Sequence, residues 1–360
     1  MPVSLGQFTA ILFSGRGIPA WIALALGLLL TALLTSGLEK QRAHNAELQF
    51  ALHVQELTGD IEKRLRDHEQ ILLGGAGLFD VSGTVNRAQW QGYIERLSLE
   101  KRYPGIQGVG FSQVIQPEAL ADHIAAVRAE GFPDYQVRPE GDRNFYTAIV
   151  YLEPFVGRNL AAFGYDMYSE PLRREAMALA VNNNRTTISG KVTLVQETHG
   201  KQQAGILMYV PVYHPQLPLV SEQDRWQALL GFVYSPYRVD DLMQGILGSR
   251  NFLVDFTLHD GQATADEALM YDSAAVRNQP QETKPSHLSV QHLDAYGRVW
   301  TITLRSRPEF QAQFTSPIDW LIPSLGAGIS LLLFILALLL LSRRELKGKL
   351  IWPLLKRRNW

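Results

Sequence analysis

Cysteine is absent from all 360 residues. That absence removes disulfides, thiolate-ligated zinc, iron–sulfur clusters and thiol nucleophiles together. A large non-cytoplasmic domain built without disulfides points to a bacterial envelope rather than an animal cell surface. Charge of one sign is also scarce: 34 Lys and Arg face 35 Asp and Glu, for a formal net charge of −1. No basic stripe crosses the middle of the chain, so nucleic acid is not an expected partner. Catalytic signatures are missing too: there is no His-Glu-x-x-His, no Gly-x-Ser-x-Gly and no phosphate-binding lysine loop. Gly74-Gly75-Ala76-Gly77 does not follow a strand, which argues against a dinucleotide fingerprint, and His199 and His214 are isolated turn residues without a third metal ligand. An enzyme, a cofactor and a metal are therefore not expected. The sequon Asn184-Arg185-Thr186 reads as a loop or helix end.

Two long apolar runs stand out. Residues 18–38 carry no charge and, at about 1.5 Å per residue, cover a hydrocarbon core of about 30 Å. Residues 318–341 carry only Asp319, beside the interfacial aromatic Trp320, before a block of Leu, Ile and Phe. Two buried core helices are the alternative, but such helices are usually shorter and amphipathic. Arg343, Arg344, Lys347, Lys349, Lys356, Arg357 and Arg358 follow the second run, while only Arg305 and Arg307 closely precede it. Basic residues stay cytoplasmic, so residues 342–360 form a cytoplasmic tail. Two spans then place residues 1–17 on the same side, although Lys40 and Arg42 just outside the first span run against the rule. A cleaved signal peptide is a second reading of residues 18–38, weakened by the poor cleavage site at Thr35-Ser36-Gly37. The expected location is an inner membrane crossed twice, with a large periplasmic or extracellular domain between the spans.

That domain begins with a proline-free stalk, residues 39–73. Val54, Thr58, Ile61, Leu65, His68 and Leu72 follow a 4-3-4-3-4 spacing, one apolar stripe on a helix. The stripe can pack on the domain's own body or on a second copy, and both are expected at different heights, which makes a homodimer through the stalk. His68 reads as a seam residue rather than a pH sensor. Strands are expected at 105–115, 135–138 and 145–155, and helices at 117–130 and 170–182, the last begun by Ser169 and Pro171. Strands at 188–197 and 204–212, joined by the turn-rich 198–201, make a hairpin. After a polar break, a strand at 228–234, a helix at 239–247 and a strand at 252–259 begin a smaller unit. Strands at 287–293 and 299–304, turned at Asp294-Ala295-Tyr296-Gly297, close it. The fold class is α+β, with antiparallel sheets in units 74–214 and 224–310.

These pieces resemble the CHASE family of extracytoplasmic sensor domains over most of residues 45–305. The likeness lies in Gly74-Gly75-Ala76-Gly77-Leu78-Phe79, in Tyr103-Pro104-Gly105-Ile106-Gln107-Gly108-Val109-Gly110-Phe111, in Gly164-Tyr165-Asp166-Met167-Tyr168-Ser169-Glu170 and in Val210-Pro211-Val212-Tyr213. The resemblance implies a stalk helix, two tandem PAS-like subdomains, a small ligand in the membrane-distal one, and dimers. It also implies a kinase or cyclic-di-GMP module after the second span, whereas only 19 residues follow Leu341, so output passes to a separate cytoplasmic partner or belongs to a longer chain. In the plant branch of the family an aspartate recognises the purine; residues 157–159 offer no acid there, so the pocket transfers and cytokinin does not. Ser189 stands near the position of a plant threonine.

A small-molecule pocket needs an apolar lining with a few convergent polar groups. Phe111, Phe155, Tyr165, Met208 and Tyr209 are the candidate lining, and Arg158, Asp166, Ser189 and Thr193 the candidate polar contacts. Arg158 and Asp166 are expected to pair with each other or with a charged ligand; alternatively Asp166 caps or orients the helix that starts at Pro171. A ligand sensor is the leading reading. An envelope interaction module is the alternative, its tail of Trp352, Pro353, Leu354 and Leu355 among basic residues lying on the anionic inner leaflet or recruiting a partner.

Overall fold

The computed structural model describes residues 14–103, 105–196, 203–248, 252–279, 284–316 and 319–356. The chain divides into two compact units, one made of residues 1–50 and 308–360 and the other of residues 51–307. The architecture is mixed, with long helices and two antiparallel sheets.

In the first unit, helix α1 (Ile18–Ser82) contributes its N-terminal part and the C-terminal helix Leu321–Lys356 the rest. Both hold stretches long and apolar enough to cross a membrane, and Leu26, Leu30 and Leu332 point outward with about 60 % or more of their surface exposed (59 %, 60 % and 67 %). The two helices touch through small residues. A Cβ on Gly27 would lie 2.5 Å from Ser330 Oγ, and one on Gly326 would lie 2.4 Å from Thr31 Oγ1. Close backbone approach of this kind is how helices associate where no hydrophobic drive separates them from lipid. Arg42 forms an ion pair with Asp319, Nη1 to Oδ1 2.6 Å, which gives the basic residue beyond the first run an acidic neighbour.

In the second unit, the apolar stripe of α1 is used internally. Val54, Ile61, Leu65, His68 and Leu72 are buried, together with Leu57 and Ile71. The expected stalk end at residue 73 is corrected, because the helix continues to Ser82 with Gly74, Gly75 and Gly77 inside it. The reason is packing. A Cβ on Gly74 would meet Tyr93 Oη at 2.4 Å, and one on Gly75 would meet Trp90 and Val233, each at 3.2 Å. These glycines accept the close approach of helix α2 (Arg87–Leu97) and of the first sheet.

The first sheet has the order β2-β1-β5-β4-β3, with β1 at Val109–Ile115, β2 at Tyr146–Glu153, β3 at Thr187–Ile188, β4 at Gly205–Tyr213 and β5 at Leu229–Arg238. The strand expected to open the smaller unit is thus β5, the central strand of this sheet, paired to both β1 and β4. Its near-continuous burial fits a central position. The long arm expected at 188–197 is also corrected. Only β3 and an isolated bridge from Val192 to Gly205 are formed, because Ser189 turns its hydroxyl to Leu207 N and Gly190 O. The turn at 198–201 lies outside the described residues. At 135–138 there is only a bridge from Arg138 to Tyr165.

One face of the sheet packs on α1 and α2: Phe79 stacks on Phe111 at 4.2 Å, and Trp90 is fully buried. The other face carries Leu207, Tyr209, Phe232 and Tyr234 against helix α4 (Pro171–Asn183), which follows helix α3 (Leu120–Ala129) in the chain. Helix α5 (Val239–Leu247) leads to the second sheet, ordered β7-β6-β9-β8, with β6 at Val254–Asp260, β7 at Leu269–Asp272, β8 at Leu288–Ala295 and β9 at Arg298–Ser306. The expected closing hairpin is present as β8 and β9. A half-buried strut ties the sheets: Asp260 accepts from Arg298 at 2.6 and 2.9 Å and from the Lys191 amide at 2.9 Å.

Candidate functional site

The nine side chains expected to gather in one pocket are divided by the sheet. Tyr209 pairs with Tyr234 and faces α4, whereas Met208 pairs with Ser235 on the opposite face, the side of Val233 and Phe111. Alternation along a strand forces this split between neighbours. Tyr165 sits at the α4 side beneath the Arg173 guanidinium, 4.9 Å from its ring centre. Ser189 is fully buried and occupied by backbone. Thr193 and Arg158 are exposed, and the Thr193 carbonyl accepts from Arg173 at 3.2 Å.

Asp166 is fully buried. Its Oδ1 accepts from Thr147 N at 2.8 Å, Thr147 Oγ1 at 3.0 Å and Tyr168 N at 3.3 Å. Its ionic neighbour is Arg143, with Nε 3.3 Å from Oδ2. It caps the short turn Met167–Ser169, while the cap of α4 is Glu170, which accepts from Leu172 N and Arg173 N. The expectation that Ser169 begins α4 is corrected accordingly. Polar groups on this side of the sheet hold backbone in place.

A cleft of about 640 Å³ opens elsewhere, between α2 and the end of β2. Its apolar walls are Ile94, Leu99, Pro154, Phe155 and Val156, and its polar groups include Arg87, Gln91, Glu95, Lys101 and Glu153. Phe155 is the one expected pocket residue that lines it. Helix α2 is built by a capping box: Asn86 Oδ1 accepts from Gln89 N, and Gln89 Oε1 accepts from Asn86 N, both at 2.9 Å. Its inner face inserts Trp90 and Ile94. Arg87 fixes it to the sheet edge, donating to the Val150 carbonyl at 2.9 Å and to Glu130 at 3.0 Å, with its guanidinium 4.4 Å from the Phe132 ring centre. Pro154 offers no N–H to continue the ladder, so β2 ends there. Phe155 is then held edge-on by Phe132 and Phe163, at 5.7 and 5.1 Å.

Glu153 is the half-buried acid of the cleft, and Phe155 N donates to its Oε2 at 3.0 Å. Burial pushes its carboxyl above the usual range and Glu95 adds to this, against the pull of the Phe155 amide and Arg87. Arg87, Gln91, Glu95 and Glu153 were not among the residues singled out from the sequence. The signal that finds three of them is the Asn-x-x-Gln capping box at 86–89 followed by apolar residues at 90, 94 and 97.

The CHASE domain model matches residues 83–271, more than half of the chain. The chain belongs to the CHASE domain family. The match starts one residue after α1 ends and takes in α2, the whole first sheet, β6 and all but the last residue of β7, and therefore every residue of the cleft. CHASE domains are the extracytoplasmic sensory parts of membrane receptors, they carry no catalysis of their own, and the two apolar helices fit a two-pass membrane protein. No curated protein matches the chain.

Proposed function

We propose that this protein is the sensing subunit of a membrane receptor, and that a small ligand binds in the cleft between α2 and β2. The apolar helices are its two spans, both termini are cytoplasmic, and the CHASE domain lies outside the inner membrane. The two sheets are tandem PAS-like modules, the first ending with β5 rather than at residue 214. Output passes to a cytoplasmic module, carried by a separate partner or by a longer chain, and a homodimer gives the signal two arrangements to choose between. With the stalk stripe buried in its own unit, the dimer contact falls on the outer face of α1, where Leu52 and Leu73 are exposed.

One observation carries the ligand site: a cleft of about 640 Å³ with an apolar, aromatic wall and a few charged groups. Drug-sized ligands occupy clefts of roughly 300–1,000 Å³ of this character. The test is a thermal-shift screen of the full chain in lipid nanodiscs against small metabolites. A ligand at 100 times its Kd adds about 2.7 kcal/mol, a rise of roughly 5–10 °C for a unit of this size. Gln91→Trp puts an indole at the cleft mouth from an exposed helix position and is expected to abolish the shift. Hits that survive Gln91→Trp would move the site elsewhere.

A further inference from the structure

We infer that the ligand of this cleft is an organic amine, a protonated nitrogen carried on an apolar or aromatic body. The inference rests on reading the cleft as the ligand site. Four charged side chains line it: Arg87, Glu95, Lys101 and Glu153. Arg87 has three of its five N–H donors committed, two to Glu130 and one to the Val150 carbonyl, and its charge is met by that carboxylate and by the face of Phe132. Lys101 is exposed at the rim, on the short helix Leu99–Arg102, and its long stem lets the ammonium swing into water.

Glu153 is placed differently from Lys101. Glu153 is half-buried where β2 ends, and its Oε1 has no hydrogen bond among the described residues, since Phe155 N donates to Oε2. Glu95, exposed on α2, is joined on one oxygen by Gln91 Nε2 at 2.9 Å, and its Oε2 stays open to water or to a ligand. Two carboxylates with an open oxygen each thus stand beside the Phe155 ring and the aliphatic wall of Ile94 and Leu99. An ammonium supplies both the charge and the donors these oxygens lack, and the aromatic wall accepts its hydrocarbon and the edge of its charge. A carboxylate ligand would meet two like charges at the same place. Burial and Glu95 already make the ionised form of Glu153 costly, and an arriving cation relieves that cost.

The experiment uses the full chain in nanodiscs and arylalkyl skeletons of two to four carbons, each as amine, carboxylate and alcohol, with phenethylamine, 3-phenylpropionate and 3-phenylpropanol as the first set. Calorimetric titration is expected to show the amines binding and the matched carboxylates not. Glu153→Gln, checked for an unchanged melting temperature, is expected to weaken amine binding about tenfold or more, the loss of one charge-assisted bond. Carboxylates or alcohols that bind as tightly as the amines and are blocked by Gln91→Trp would leave the cleft as the site and overturn the amine. Amine affinity unchanged by Glu153→Gln would overturn it as well. Amine binding that survives Gln91→Trp would overturn both, and so would a set in which no member binds.

Discussion

Replacing Asp166 by alanine tests whether this fully buried carboxylate holds the fold or meets a ligand. Its Oδ1 takes hydrogen bonds from Thr147 N, Thr147 Oγ1 and Tyr168 N, and its Oδ2 lies 3.3 Å from Arg143 Nε. Truncation leaves the Thr147 amide inside the fold without its partner and Arg143 without its anion. Breaking a buried pair in this way costs about 3–5 kcal/mol. The Arg143 side chain keeps 21 % of its surface in water, so it can be rehydrated, and a loss of about 3–4 kcal/mol is expected. For a unit of some 250 residues that is a fall in Tm of roughly 6–15 °C. Asp166→Asn keeps an acceptor for Thr147 and gives up only the charge, so it should cost about half as much. The assay is near-UV circular dichroism melting of the full chain in nanodiscs, with ligand affinity measured well below each Tm. A holding role leaves the Kd of Asp166→Asn within about threefold of wild type. A Tm within about 2 °C of wild type for Asp166→Ala, or a Kd raised more than tenfold in Asp166→Asn, would refute the reasoning.

Two further outcomes follow from α1. Gly75→Val should lower stability by about 1–3 kcal/mol, because Trp90 and Val233 both lie at 3.2 Å from the first added carbon; a melt unchanged from wild type would show that the helices can separate at no cost. His68 is buried with no hydrogen-bond partner among the described residues, stacked on Tyr237 at 5.1 Å, and burial with help from Arg64 pulls its pKa down to about 3. Below pH 6.5 the unfolded chain takes up a proton that the folded chain refuses, so stability falls as pH falls, by about 1.4 kcal/mol per unit until near pH 3. His68→Phe should remove about 2 kcal/mol of the loss between pH 7.5 and pH 5 in denaturant titrations; an unchanged pH slope would show that the imidazole is charged in the folded protein.

The sequence made the large elements legible where one period dominated. The stripe from Val54 to Leu72 is a helix face, the β8–β9 hairpin is turned at 294–297, and apolar helices cover 18–38 and 321–341; Asp319 and Trp320 form a turn before the second, and Ile318 lies outside the described residues. Misreadings came where tertiary contact overrode local pattern. Three glycines in four residues look like a break, yet they lie inside a helix, where Gly74 and Gly75 make room for Tyr93 and Trp90. The short β7 has too few residues to show a period. The assignment of β5 to a second unit followed chain order, and no local property of Leu229–Arg238 says which sheet it completes. For the site, residue type was readable and side was not: Met208 and Tyr209 are neighbours in sequence and separated by the sheet.

The position of the cleft has a consequence for how a bound molecule is felt. Helix α2 forms one wall and β2 the other, and within residues 51–307 the same α2 is seated directly on α1. Tyr93 Oη donates to the Ile71 carbonyl at 2.8 Å, and Trp90 lies over Gly75. An occupant that alters the spacing of α2 and β2 therefore acts on the helix that begins in the first apolar run, with Tyr93 and Trp90 as the points of transfer. Polar groups on the α4 side, by contrast, are tied to backbone: Asp166 to Thr147 and Tyr168, Ser189 to Leu207, Arg173 to Thr193. A ligand placed there would have to break bonds the fold depends on before gaining any of its own. A ligand shifts an equilibrium only through different affinities for the two states, and the α2 wall is an element whose displacement can create that difference while leaving the sheet whole.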